Sequence, residues 1–176
     1  MDIVALLLFA TLVLPTLYVT ILVHEIGHYT AFRVQNIAPQ WVDIGIGKML
    51  FRLRFKGTWF HFKLIPSAGE VVASPGHFKK VGLWGAMFVL LAGPLFQLAF
   101  AGGIGFFASV LTQFPKLQNV VWILCAMTAI NAFIQLYPFR KITVRDGKKH
   151  EFRSDGFLIR NFWKRREQFK TVNTNW

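Results

Sequence analysis

The sequence predicts a membrane protein of mainly α class, in which three transmembrane helices form a core that carries a cytoplasmic, membrane-associated β-hairpin and a C-terminal amphipathic helix. Three observations support this fold class. The 176 residues are 54% hydrophobic, which is more than a soluble domain of this length needs. Long apolar runs recur along the chain, and basic residues collect in the segments between and after them. We expect residues 1–176 to form a single domain.

Three apolar runs are long enough to cross the hydrocarbon core of a bilayer as helices, which takes about 20 residues. They predict spans at about 3–33, 81–111 and 119–138. The first run could instead be a cleaved signal peptide. However, it lacks both a preceding basic segment and a small-residue cleavage site, so we expect it to remain as a helix.

The distribution of charge predicts the orientation of these spans. The formal net charge is +12, with eight Lys and Arg residues at 33–80, eleven at 140–170 and only Lys116 elsewhere. Because basic loops stay in the cytoplasm, the N-terminus is expected outside and the C-terminus in the cytoplasm. This topology fits a bacterial plasma membrane. The positive charge is then explained by this topology and by contact with the lipid bilayer. We therefore expect no nucleic acid partner.

The region 40–76 has the periodicity of strands. Between 48 and 64, apolar residues alternate with basic ones on both sides of Lys56-Gly57-Thr58, which predicts a β-hairpin with one apolar and one basic face. The hairpin could rest on lipid headgroups, offer its edge to an extended peptide, or be purely structural. From Pro66 to Val72 the sequence predicts a turn and a short extended piece.

The second span is interrupted at Ala92-Gly93-Pro94. Glycine and proline in a transmembrane helix permit close contact with a neighbour, and we favour that explanation over a direct catalytic role. After the third span, the cytoplasmic tail 139–176 begins as a basic connector. At 154–169, apolar residues at helical spacing are mixed with Arg and Lys, which predicts an amphipathic helix along the cytoplasmic interface.

The segment His24-Glu25-Ile26-Gly27-His28 places three strongly polar side chains in an apolar helix. Burying a charged group in a bilayer costs ~2.5–3.5 kcal/mol, so a compensating partner is expected. Residues i and i+4 share a helix face, so His24 and His28 can bind one ion. In such HExxH motifs two histidines hold Zn²⁺ and the glutamate takes a proton from water at the open position. The alternatives are satisfied buried polar residues or a chance match.

Zinc needs a third protein ligand, which spacing alone does not identify. The chain has a single cysteine, Cys125, so a thiolate site is excluded and nitrogen and oxygen ligands are expected. The downstream candidates are Asp43, His61, Glu70, His77, Asp146, His150, Glu151, Asp155 and Glu167.

The order of these motifs resembles that of the site-2 protease family of intramembrane zinc metalloproteases. The similar features are HEIGH at 24–28, Ala-Gly-Pro-Leu at 92–95, and then Asn131, Pro138 and Asp155-Gly156. The resemblance covers most of the chain. It implies a core of three spans, Zn²⁺ as the cofactor, and a membrane-associated β-hairpin after the first core helix.

The resemblance also implies roles for individual residues. His24, His28 and Asp155 would be the metal ligands, and Glu25 the catalytic base. Asn131 would be a catalytic residue that contacts the substrate or steadies the reaction centre.

The chain departs from the family pattern between Pro138 and Asp155, which are further apart than usual. Glu151 and Asp155 also fit the Glu-x-x-x-Asp pattern of gluzincins, in which the glutamate is the ligand. We prefer Asp155 as the ligand because Gly156 follows it and Asn131 and Pro138 precede it.

The predicted activity is hydrolysis of a peptide bond in or near the transmembrane segment of a membrane protein or a signal-peptide-like remnant, as in regulated intramembrane proteolysis. Many relatives carry a PDZ domain, for which this chain leaves no room, so we expect a minimal core form. Access of the substrate to the active site would then be limited by the hairpin, by the tail or by a prior cut that shortens the substrate. A regulatory membrane partner could also control cleavage. Because cleavage needs an extended backbone, the substrate is expected to unwind against the 48–64 edge.

Two other functions remain open at this stage. One is a gluzincin-type membrane metalloprotease that uses Glu151, and the other is a non-enzymatic membrane protein that binds metal as a carrier or scaffold. A carrier would need a polar path across the bilayer, which the second and third spans hardly offer. An inactive protease would be expected to have lost Glu25 or a histidine, and all three are present.

Overall fold

The computed structural model describes residues 3–74, 77–145 and 148–166. Within these ranges the chain forms four helices and four strands. In chain order they are α1 (Ile3–Val34), β1 (Trp41–Phe55), β2 (Thr58–Val72), α2 (His77–Val110), α3 (Pro115–Leu136), β3 (Arg140–Arg145), β4 (Lys148–Arg153) and α4 (Asp155–Lys164).

The long helices pack side by side, with α2 in contact with both α1 and α3. Among the described residues, two helical segments, Val81–Val110 and Pro115–Leu136, are long and apolar enough to cross a membrane. They expose large apolar side chains, of which Phe106 is 74% and Phe133 62% exposed. Exposure of this kind suits contact with lipid better than contact with water. The helix bounds lie close to the predicted spans, although α2 already begins at His77.

Strands β1 and β2 form the predicted antiparallel hairpin. Phe55 pairs with Thr58 across a two-residue turn, as expected from the sequence. The φ angles of Lys56 and Gly57 are 46° and 86°, and left-handed conformations at both positions are typical of a type I′ hairpin turn. The strands are longer than the predicted hairpin at 48–64.

The turn predicted after Pro66 is wrong, because β2 continues unbroken to Val72. Residues 69–72 pair with residues 41–44, and this ladder keeps them extended. Residues 41–44 also pair with residues 59–62. The start of β1 therefore lies between two parts of β2, and the 69–72 segment forms an edge of the sheet beside α1.

A second hairpin occupies the place of the predicted basic connector, so that prediction is wrong. Strands β3 and β4 pair antiparallel, from Arg140 with Arg153 to Arg145 with Lys148. The dipeptide Asp-Gly at 146–147 lies outside the described residues, but its presence between two short strands is a recognised sequence signal for a hairpin. The hairpin returns the chain to the end of α3, where α4 begins.

Helix α4 is the described part of the predicted amphipathic helix. Ser154 caps its N-terminus, since the Ser154 hydroxyl accepts a hydrogen bond from the Phe157 backbone N–H. The helix packs on α2 and α3. Residues 167–169 of the predicted helix lie outside the described residues.

Candidate metal centre and active site

The last turns of α1 carry His24, Glu25 and His28 into the interior, where their exposed fractions are 7%, 4% and 7%. Gly27 permits this burial, because a Cβ at that position would stand 2.5 Å from the Ala92 carbonyl oxygen of α2. Helices α1 and α2 therefore approach closely at this level. Close packing is also what we expected of the Ala92-Gly93-Pro94 segment.

Each histidine uses its Nδ1 atom for a hydrogen bond within the protein. His24 Nδ1 lies 3.1 Å from Gln97 Oε1, and His28 Nδ1 lies 2.7 Å from the Val89 carbonyl oxygen. Because both partners are acceptors, Nδ1 donates in each ring, and Nε2 of each ring faces Asp155. Hydrogen bonds of this kind orient the histidines of metal sites.

Asp155 reaches the histidines because the start of α4 lies on the end of α3. A Cβ on Gly156 would overlap the Leu136 carbonyl oxygen, so only glycine allows this approach. The Ser154 hydroxyl also donates a hydrogen bond of 2.7 Å to the Tyr137 carbonyl oxygen. These contacts hold the first residue of α4 against α1.

The three side chains present their donor atoms to one point. His24 Nε2 and His28 Nε2 are 3.1 Å apart, and they lie 3.1 and 3.4 Å from the two carboxylate oxygens of Asp155. A tetrahedral zinc ion with ligands at about 2.0–2.1 Å separates its ligand atoms by about 3.3–3.4 Å. Two imidazoles and a carboxylate are also a donor set that zinc accepts. His24, His28 and Asp155 therefore fit a zinc ion.

The carboxyl group of Asp155 is ionised at neutral pH. Burial alone would raise its pKa, but hydrogen bonds with His24 and His28 outweigh burial and lower the pKa to about 2. Metal ligands must be deprotonated to bind. Asp155 therefore has the charge state that a cation requires.

Glu25 lies beside the three donor atoms, in contact with the sheet. A Cβ on Gly69 of β2 would stand 2.5 Å from Glu25 Oε1 and 2.7 Å from its Cδ. The other oxygen, Oε2, is buried and has no hydrogen-bond partner in the structure. An unpartnered buried carboxylate oxygen is costly, so Glu25 is suited to accept a proton or a hydrogen bond from a bound molecule.

These residues open into a cavity of about 460 Å³, within the size range of small-ligand sites. One wall carries His24, Glu25, His28 and Asp155. The lining also includes residues 69–71 of β2, together with residues of β4. The sheet edge at 69–71, rather than the predicted edge at 48–64, lies beside the metal ligands.

Two other predicted residues lie outside the metal cluster. Asn131, in α3, does not line the cavity, whereas Gln135 one turn later does. Glu151 lines the cavity, but its carboxylate forms ion pairs with Arg153 at 2.7 Å and Arg140 at 3.2 Å. The hydrogen bond from Arg153 lowers the pKa of Glu151. Within the described part of the chain, His24 and His28 are grouped with Asp155 and not with Glu151.

The remaining candidate ligands whose side chains the structure describes are not in that group either. Asp43 pairs with His61 and Lys63 in the sheet, and Glu70 lines the cavity with an exposed side chain. The side chains of His77, Asp146, His150 and Glu167 lie outside what the structure describes.

Gln97 and Gly69 were not assigned a role from the sequence, and Gly93 was expected only to allow close packing of helices. Gln97 orients His24, Gly93 lies against both histidine rings, and Gly69 lies against Glu25. Gln97 is a polar residue inside an apolar span, which is itself a signal of function. Gly93 was marked by the Ala-Gly-Pro-Leu stretch at 92–95, whereas no comparable signal separates Gly69 from the other glycines, because its importance depends on a contact between distant segments.

Comparison with known proteins supports a peptidase. The family model described as peptidase family M50 matches residues 12–173. Similar proteins, provisionally named as zinc metalloproteases, occur in Pasteurella multocida (29% identical, covering 74% of this chain), Vibrio cholerae (30%, covering 47%) and Campylobacter jejuni (30%, covering 44%). The aligned regions cover 32%, 21% and 25% of those relatives, so the chain spans less than a third of their length.

Proposed function

This chain belongs to peptidase family M50, and on that premise we propose that it is an intramembrane zinc endopeptidase. His24, His28 and Asp155 hold the metal, and Glu25 is the general base. The substrate is a transmembrane or membrane-associated peptide, cut near the cytoplasmic side of a bacterial plasma membrane. In this proposal α1 joins the two apolar helices α2 and α3 as a third span.

The observation that carries the proposal is the spacing of the donor atoms. Nε2 of His24, Nε2 of His28 and the Asp155 carboxylate lie 3.1–3.4 Å from one another, although Asp155 comes from the opposite end of the sequence. These separations match the edges of a zinc tetrahedron, and the three side chains form a group of possible metal ligands within the described residues. Gluzincin-type ligation by Glu151 has less support, because Arg140 and Arg153 already neutralise that side chain.

The residues of the site divide the chemistry among them. Zinc bound here would act as a Lewis acid and lower the pKa of water toward neutrality. Glu25 lies next to the ligands, and its unpartnered Oε2 accepts the proton from the attacking water and can return it to the leaving amine. Gln97 and the Val89 carbonyl hold Nδ1 of His24 and His28 and so turn Nε2 of each ring toward the metal position, and Gly27 lets α1 pack closely on α2.

The 69–72 edge of β2 is the proposed binding strand for the substrate. Its backbone lies on Glu25, and within the described residues no strand pairs with its cavity side. An extended peptide added to this edge would satisfy its backbone hydrogen bonds outside a helix and present a carbonyl to the catalytic residues. This assignment moves the substrate-binding edge from 48–64 to 69–72.

Hydrolysis is tested with the purified full chain, loaded with zinc in a detergent or nanodisc, and a model transmembrane substrate. Glu25→Gln should lower kcat by about 10²–10⁴-fold, because the proton acceptor is removed. Zinc content, measured on the same preparation, should remain that of the wild type, because Glu25 is not a ligand. Cleavage at the wild-type rate by Glu25→Gln would reject Glu25 as the base. Zinc binding without any cleavage by the wild type would favour a metal-binding protein over an enzyme.

The binding strand is tested by photo-crosslinking with the uncleaved substrate bound to the Glu25→Gln variant. A crosslinking amino acid at Val71 should capture the substrate, whereas the same amino acid at Leu53, in the part of the hairpin far from the cavity, should not. Capture at Leu53 alone would show that the substrate binds at the 48–64 edge and would overturn the assignment of the binding strand to 69–72.

A further inference from the structure

The C-terminal end of α4 carries exposed basic and aromatic side chains that the peptidase chemistry does not use. Lys164, Arg165 and Arg166 are all exposed, and Trp163 is 46% exposed. We propose that this end of α4, together with Trp84 of α2, is a binding site for the headgroups of anionic phospholipids. The proposal rests on α2 crossing the bilayer, but not on the metal or on catalysis.

Two tryptophans mark the level of the membrane surface at this point. Trp84 lies at the start of the apolar segment Val81–Val110, and it is 72% exposed. Its ring packs edge-on against Trp163, with 6.2 Å between the ring centroids. Exposed tryptophans at the end of a transmembrane helix favour the headgroup region, where an amphipathic ring meets both apolar and polar surroundings. The contact between the rings places the end of α4 at the same level.

The orientation of α4 follows from the packing of its apolar face. Phe157, Leu158 and Phe162 are half-buried, on a helix that contacts α2 and α3, while the basic residues lie at its exposed end. Asp155 is the single acidic residue at 154–166, and it is buried at the other end of the helix. Within the described residues, the exposed end of α4 therefore carries basic but no acidic side chains, a charge complementary to anionic lipid.

The arrangement of cation and ring favours a phospholipid over free phosphate. The Arg166 guanidinium lies 5.4 Å from the centroid of the Trp163 ring, so charge and aromatic surface are presented side by side. A lipid can use both, with its phosphate near the arginine and its glycerol and upper acyl carbons on the tryptophans. Inorganic phosphate can use only the charge.

The site would also be linked to the metal centre by the helix itself. Helix α4 is 10 residues long, which corresponds to about 15 Å, and its first residue is Asp155. Lipid bound at one end would hold in place the element that supplies the third metal ligand at the other. Lipid composition would in this way bear on the stability of the folded site.

The test is the thermal unfolding midpoint of the purified full chain in a mild detergent. The probes are dioctanoyl phosphatidylglycerol, dioctanoyl phosphatidylcholine and inorganic phosphate. At a tenfold excess over its Kd, the anionic lipid should raise the wild-type midpoint by about 3–6 °C. Phosphatidylcholine and phosphate should raise it by much less.

The charge-neutral variant K164Q/R165Q/R166Q should lose most of that rise. The matched control R52Q/R54Q/K56Q removes the same number of exposed charges from the β1–β2 hairpin and should keep it. The proposal would be overturned if phosphatidylcholine or phosphate raised the midpoint as much as the anionic lipid does. It would also be overturned if the two variants lost the rise to the same extent. Because this test measures no activity, a negative result would reject the lipid site and leave the peptidase assignment unchanged. A failed cleavage experiment would likewise leave the lipid site unchanged.

Discussion

Gly93 of α2 lies directly against the ring of His28, so that a Cβ at this position would stand 2.6 Å from its Cε1 atom. The same Cβ would stand 2.9 Å from Nε2 of His24. These separations are far shorter than van der Waals contact, and the atoms concerned lie at the metal-binding edges of the two rings. The backbone at Gly93 is therefore one wall of the metal site.

Gly93→Ala should displace both imidazoles and weaken zinc binding by at least tenfold, as expected when ligand orientation is disturbed. Competition with a chromogenic chelator would measure the affinity. Gly102→Ala is the matched control, because a Cβ there would have no atom within 4 Å. Equal affinities in Gly93→Ala and the wild type would show that the histidines are not held as described.

Gln97→Leu should weaken zinc binding by about 10–100-fold, because His24 loses the acceptor that orients its ring and fixes its protonation. Gln97→Glu keeps an acceptor at nearly the same place and should retain most of the affinity. The same chelator competition applies to both variants. If the leucine variant bound zinc as the wild type does, Gln97 would have only a packing role.

Asp155→Asn should abolish stoichiometric zinc binding, because it removes the one anionic ligand from the cluster. Glu151→Gln should keep both zinc and cleavage, since its carboxylate is paired with Arg140 and Arg153. Zinc per chain, determined by mass spectrometry, and cleavage of the model substrate would be measured in parallel. Loss of both in the glutamine variant alone would make Glu151 the third ligand.

Gly69→Ala should separate catalysis from metal binding. Its added methyl group would collide with the Glu25 carboxyl group, and a displacement of about 1 Å can cost about 100-fold in rate. Zinc content should stay unchanged, because the three atoms nearest to the added methyl group all belong to Glu25, which is not a ligand. Ser67→Ala, at an exposed position of the same strand, is the control and should cleave normally. A loss of zinc in Gly69→Ala would contradict this division of roles.

The sequence predicted those features that depend on local periodicity. The i, i+4 spacing of His24 and His28 was enough to place two donors on one helix face, and Lys56-Gly57 was enough to place a hairpin turn. Predicting Asp155 as the partner required the resemblance to a family, because nothing local connects it with α1.

The features that were missed depend on contacts between distant segments. The β3–β4 hairpin was overlooked because its many basic residues suggested a solvated connector, although Asp-Gly at 146–147 indicated a turn. The short extended piece predicted within Pro66–Val72 is present, but the predicted turn is not, because pairing of 69–72 with 41–44 overrides the turn tendency of Pro66 and Gly69. The role of Gln97 was not evident because hydrogen bonding across helices has no sequence period.

The docking of Gly156 on Leu136 has a consequence for the time at which the three donor atoms come together. During synthesis, α1 is made first and carries two of the donors, but the third donor is made only after all three long helices. Until α4 settles on the end of α3, the nascent chain carries an incomplete site beside whatever membrane segments surround it. A metal site whose third ligand follows all three long helices in the sequence therefore stays incomplete until α4 has packed on α3.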